Sequence, residues 1–126
     1  MTTTSQRALA ATQMPDTGRI VSDEDVGNAL DYLRKSASEI GHAKRNAKLA
    51  EHRVKVAEAL GYKASDAKAS DARKYDARIT ADYEAKIIRD AEAAGEYEKL
   101  RAAREAAAAI IEAWRSEQAN YRSMKI

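Results

Sequence analysis

The chain has 126 residues, with 22 basic and 20 acidic side chains for a formal net charge of +2, and it contains no cysteine and no phenylalanine. Charges that nearly cancel leave no global field to draw nucleic acid or a membrane, so any basic site has to be local. The lack of cysteine excludes disulfides, thiolate catalysis and cysteine zinc sites, and it suits a reducing compartment.

Residues 1–21 carry Thr, Ser, Gln and Ala around Pro15 and read as a disordered tail. They lack the apolar stretch of a signal peptide, and no later segment reaches membrane-spanning length, so a cytoplasmic protein without membrane contact is expected. One third of the residues are charged and the apolar share leans on Ala. Ala forms helix best but buries little surface, so residues 22–126 read as one all-α domain of long helices with a thin core.

The first helix is expected over about 23–60. Ser22 is its N-cap, Asp25 is placed for the return bond of a capping box, and Val21 and Val26 sit where a hydrophobic staple would. Asp23, Glu24 and Asp25 lie against the positive end of the helix dipole. Val26, Leu30, Leu33, Ala37, Ile40, Ala47, Ala50, Val54, Ala57 and Leu60 recur at helical steps as one buried stripe, and Gly61 reads as the C-cap. Gly27 and Gly41 each cost about 1 kcal/mol relative to Ala, so one of them marks a close backbone approach or a kink.

A connection is expected over about 61–65, followed by a long helix over about 66–123 that Ser65 or Ser70 would cap. Residues 63–78 hold an imperfect five-residue repeat, Ala64-Ser65-Asp66-Ala67-Lys68 and Ala69-Ser70-Asp71-Ala72-Arg73, which keeps no single helix face and reads as weakly anchored. Ile79, Tyr83, Ile87 and Ala91 form one stripe. After Gly95 comes a heptad with Leu100, Ala107, Trp114 and Tyr121 at one seam position and Ala103, Ile110 and Met124 at the other, interrupted by Glu117. The phase does not carry back cleanly through Gly95, which predicts a register shift or bend there. The fold expected is a long antiparallel helical hairpin of coiled-coil type. Its arms would be about 57 Å and about 87 Å long at 1.5 Å per residue. The unpaired length of apolar stripe points to a homo-oligomer.

Two candidate sites emerge. Arg34, Arg45, Lys48, His52 and Lys55 fall within a helical sector of roughly 80°, with Lys44 beside them, and could follow a phosphate backbone. The plainer reading is a solvated outer face, since no aromatics are interleaved for base stacking. Leu100, Ala107, Ile110, Trp114, Arg115, Tyr121 and Arg122 form a candidate protein interface, in which Trp114 is either a core anchor or an aromatic presented to a partner. His42 and His52 lack a carboxylate at metal-ligand spacing, and Asp66, Asp71, Asp76 and Asp82 have no apolar pocket to shift a pKa. No phosphate-cradling loop, nucleophile elbow or metalloprotease motif occurs, so no enzyme, metal or cofactor is expected.

Lys99-Leu100-Arg101, Ala106 to Ala109, and Ile111-Glu112-Ala113-Trp114-Arg115-Ser116-Glu117-Gln118-Ala119-Asn120-Tyr121-Arg122 resemble a family of small helical proteins encoded by tailed bacteriophages and prophages. Ala29-Leu30-Asp31-Tyr32-Leu33-Arg34 is similar too, and together these segments cover about a third of the chain. The resemblance implies a phage origin, a place in the host cell cytoplasm, and a gene neighbourhood of recombination and single-strand annealing. It points to Leu30, Tyr32, Leu33, Trp114, Arg115, Ala119 and Arg122. The function expected is a non-enzymatic, oligomeric accessory protein that supports DNA recombination or replication by binding DNA or a recombinase. The alternatives are an inhibitor or adaptor of a host defence or repair enzyme, and a virion structural component.

Overall fold

The computed structural model describes residues 19–124. Most of the expected tail therefore lies outside the described residues. Among those described, the chain forms three helices and no strand: α1 over Asp23–Ala64, α2 over Ser70–Arg78 and α3 over Ala81–Met124. Packing divides it into two compact units, Met1–Lys35 with Ala103–Ile126, and Ser36–Ala102.

In the first unit α1 starts on a complete capping box. The Asp25 backbone N–H donates to Ser22 Oγ at 3.1 Å, and the Ser22 N–H donates to Asp25 Oδ2 at 3.2 Å. Two donors that the helix leaves without partners are thereby satisfied. Val21 and Val26 are both buried, closing the staple beside the cap. The partner segment of α3 runs antiparallel to α1, because contacts descend in α3 as they ascend in α1: Val21 with Glu117, Asp23 with Trp114, and Leu33 with Arg104.

The buried face of α1 steps by three and four residues. In the first unit it comprises Val26, Ala29 and Leu33; in the second it comprises Ser36, Ile40, Ala43, Ala47, Ala50, Val54, Ala57 and Gly61. This stripe keeps most of the expected one but drops Leu30, Ala37 and Leu60, which are exposed. The difference lies in phase: Leu30, Ala37 and Leu60 each stand one residue off the face, beside Ala29, Ser36 and Gly61, and Leu60 is 60% exposed.

In the second unit the inner face of α3 is Tyr83, Lys86, Asp90, Ala93, Tyr97 and Leu100. The three-and-four spacing passes Gly95 without a change of phase, and α3 is continuous through it, so no register shift occurs there. The break falls instead at Ile79 and Thr80. Thr80 caps α3, accepting the Tyr83 N–H on Oγ1 at 3.1 Å while donating to the Ala77 carbonyl at 3.0 Å. The expected helix over 66–123 is thus two helices, and neither serine caps the first of them: Ala69 is the N-cap of α2 and makes no side-chain cap bond. Thr80 followed by Asp82 and Glu84 is the sequence signal of this start, hidden because Ile79 resembles a stripe residue; it is 63% exposed.

The consequence for length is direct. With 42 residues in α1 and 44 in α3, the two helices are about 63 Å and about 66 Å long at 1.5 Å per residue. The two helices thus differ by only two residues, in place of the unequal lengths expected from the sequence.

The repeat segment 63–78 is anchored to the end of α1. Arg73 donates from Nε and Nη2 to the Tyr62 carbonyl at 3.1 and 2.9 Å and from Nη2 to the Lys63 carbonyl at 3.3 Å, filling acceptors that the helix end leaves open. Its guanidinium also stacks 4.8 Å from the Tyr62 ring centre. Ser65 Oγ donates to Asp76 Oδ2 at 2.6 Å, and Arg78 pairs with Glu58 at 3.3 Å. Gly61 is not a C-cap, since α1 runs on to Ala64. It is the close-approach glycine: a Cβ there would lie 2.8 Å from Ala77 Cα and 3.0 Å from Ala77 Cβ, whereas Gly27 and Gly41 face open space.

These environments predict opposite effects for one substitution. Gly95→Ala, with nothing within 4 Å of the new methyl, should raise stability by about 0.5–1 kcal/mol. Gly61→Ala should lower it by about 1–3 kcal/mol, because Ala77 contributes backbone to the contact and must shift. Urea unfolding followed by circular dichroism measures both, and equal signs for the two would contradict the packing described.

Candidate nucleic-acid interface

Lys44, Arg45, Lys48, His52, Arg53 and Lys55 lie on α1 within the second unit, and all six are exposed. The reason is the seam phase. Ala43, Ala47, Ala50, Val54 and Ala57 turn inward, which leaves 45, 48, 52 and 55 on the outer side. From Arg45 to Lys55 they span about 15 Å along the helix. None of the six forms an ion pair among the described residues, and Glu51 is the one acid within the run 44–55. Arg34 is exposed as well but belongs to the first unit.

Beside this face a groove of about 440 Å³ opens between α1 and α3 of the second unit. Ala43, Ala50 and Ala93 line its floor; Arg45, Asn46, Leu49 and Arg53 border it from α1, and Arg89, Glu92 and Glu96 from α3. Arg53 stands in the basic run read from the sequence but outside the sector chosen there, and sequence reasoning missed Arg89. The correct seam phase finds Arg89, because it precedes the seam residue Asp90 by one position and so flanks the helix contact.

The candidate protein-interface residues are placed very differently. Leu100 is buried within the second unit. In the first unit Ala107 is buried, Trp114 and Tyr121 are half-buried, and Ile110 lines an apolar groove with Tyr32, Ala103 and Ala106. Trp114 Nε1 donates to Asp23 Oδ1 at 3.2 Å, so the indole is held within the chain. Arg115 pairs with Glu112 at 3.0 Å, and Arg122 Nε donates to the Gln118 carbonyl at 3.3 Å. Among the remaining residues of the resemblance, Leu30 and Ala119 are exposed and Leu33 is half-buried.

The second seam position expected in this stretch is displaced by one residue. Arg104, Ile111 and Gln118 occupy it, while Ala103 and Met124 are exposed. Arg104 Nη1 donates to the Leu33 carbonyl at 2.7 Å, which stabilises a charged side chain at a contact position. Glu117, flanking the seam, accepts the Ile20 and Val21 N–H groups on Oε1 at 3.1 and 3.2 Å. Arg19, whose side chain is 2% exposed, pairs with Asp23 at 2.7 Å. The Arg19 hydrogen bond is the main cause that holds the Asp23 carboxyl below its ordinary value; partial burial opposes it, and the Trp114 indole and the Arg19 charge assist.

The described residues contain no group of three or more His, Cys, Asp or Glu that could hold a metal ion, and no described helix is long and apolar enough to cross a membrane. Comparison with protein-family models, curated proteins and solved structures finds no match to this chain.

The Asp23 contacts predict a pH dependence. A depressed folded-state pKa adds stability that is fully present above the ordinary value of 3.8 and is lost as pH falls through the lower folded value. Asp23→Asn should therefore flatten this part of the acid limb, and Trp114, the single tryptophan, reports it by its emission. An acid limb unchanged in the variant would remove Asp23 from the fastening of this unit.

Proposed function

We propose that this chain is a non-enzymatic accessory protein that binds nucleic acid through the exposed basic face of α1. The observation that carries the reading is the set Lys44, Arg45, Lys48, His52, Arg53 and Lys55, exposed on one helix segment and free of ion pairs among the described residues. A structural surface helix typically sets acids and bases three or four residues apart to pair with each other. On α3, Lys86 with Asp82, Arg101 with Glu98 and Arg115 with Glu112 follow that habit. In the segment 44–55 Glu51 is the one acid, and although it stands three residues from Lys48 and four from Lys55 it pairs with neither, leaving the cations available to phosphate, where their binding would release counterions and depend steeply on salt.

The resemblance to small phage-encoded helical proteins supports placing this activity in DNA recombination or replication in a host cell, alone or docked on a recombinase. The antiparallel packing in the first unit supports a long hairpin of coiled-coil type. The exposed Leu49, Val56, Leu60, Ile87 and Ile88 support self-association of that hairpin. The adaptor reading is less favoured, because the Trp114 indole N–H is already engaged by Asp23.

Fluorescence anisotropy of labelled DNA over a salt series tests the proposal. Binding should weaken steeply with salt, and the double substitution Arg45→Glu with Lys48→Glu should reduce affinity at least tenfold while helicity is retained. Unchanged binding in the double variant would exclude this face.

A further inference from the structure

We infer that Arg89 of α3 completes a phosphate clamp with Arg45 and Arg53 of α1, so that a phosphodiester group is held in the groove between the helices of the second unit as well as along the outer face of α1. The inference rests on the basic-face reading and adds a second helix to it. Three guanidinium-bearing residues border one groove, and Asn46 adds a neutral amide donor. None of the three arginines has an ion-pair or hydrogen-bond partner among the described residues, although Glu92 and Glu96 line the same groove. Arginine is the side chain suited to this task, since its planar fork meets two phosphate oxygens at once and its charge is permanent. Ala43, Ala50 and Ala93 put an apolar wall on one side of the groove, which strengthens the field that an anion meets there.

Glu92 and Glu96 follow Arg89 along the α3 wall of the groove, so that wall changes from cationic to anionic along its length. The phosphodiester is drawn to the Arg89 part of the wall, whether it belongs to a single strand or to one strand of a duplex.

The test is anisotropy with the full chain and labelled single- and double-stranded DNA over a salt series. Arg89→Ala should weaken binding roughly tenfold, the scale of one charge-assisted hydrogen-bonding group. It should also reduce the slope of log affinity against log salt by about one. Arg89→Lys, which keeps the charge and loses the fork, should remain weakened. Lys68→Ala, the same charge loss in the same unit but in the connection between α1 and α2, should change affinity less than about twofold. A larger effect of Arg89→Ala on single strands identifies the single strand as the source of the phosphate, and an equal effect identifies the backbone common to both. If Arg89→Ala behaves as Lys68→Ala, or Arg89→Lys as the parent, the clamp is refuted. Loss of binding in the Arg45→Glu, Lys48→Glu variant would then still uphold the outer face. If the parent chain binds neither DNA, both readings fall together.

Discussion

A small residue at every seventh position governs how α1 is packed. Ala29 in one unit and Ser36, Ala43, Ala50 and Ala57 in the other are all buried, and Gly61 extends the small-residue face to the contact with Ala77. Small side chains let helix backbones approach, but each buried methyl contributes only on the order of 0.8 kcal/mol. Helix propensity and polar fastenings must then supply what a Leu seam would. The fastenings are concentrated at helix ends, where unsatisfied backbone groups make them most effective: Ser22 with Asp25 at the start of α1, Arg73 on the Tyr62 and Lys63 carbonyls at its end, and Thr80 at the start of α3.

The same thin core explains the polar residues along the inner face of α3. Lys86, Asp90, Arg104 and Gln118 stand at positions where a coiled coil ordinarily places apolar groups. Long polar side chains reach past a small neighbour, cover it with their methylenes and bring the head group to a backbone acceptor, as Arg104 does at Leu33. A shifted register would separate this donor from its acceptor, so Arg104 fixes alignment in a first-unit contact whose alanines discriminate poorly between registers.

This mixture decides what is legible in the sequence. The N-terminal cap and staple of α1 are legible because they are local, set by Ser22, Asp25, Val21 and Val26 within six residues. The inner positions of Leu100, Ala107, Trp114 and Tyr121 are legible because apolar residues mark them. Their counterparts at 104, 111 and 118 are obscured, since Arg and Gln occupy two of the three and the neighbouring Ala103, which is exposed, with the half-buried Ile110 offers a more apolar series. The glycines mislead for a related reason. Gly27, Gly41 and Gly95 interrupt the pattern conspicuously and meet nothing, while Gly61 stands where a helix end is plausible and makes the one tight backbone contact among them. The basic face is legible as a spacing, but Arg89 depends on a contact between distant segments and on a phase that Ile87 and Ile88 conceal.

Packing and surface chemistry are therefore linked. When a helix contact is made from Ala and Ser, the larger apolar and charged side chains are displaced to its flanks, and in the second unit the flanks carry Leu49, Arg45, Arg53 and Arg89. A Leu-rich seam would separate the helices and broaden the groove; an Ala-rich one keeps its walls near each other, within reach of arginines from both sides. On this argument the poverty of the core and the concentration of unpaired guanidinium groups share a cause. Substitutions that enlarge Ala43 or Ala50 would act on the groove as much as on stability, because those two residues are at once the helix contact and the floor on which an anion would rest.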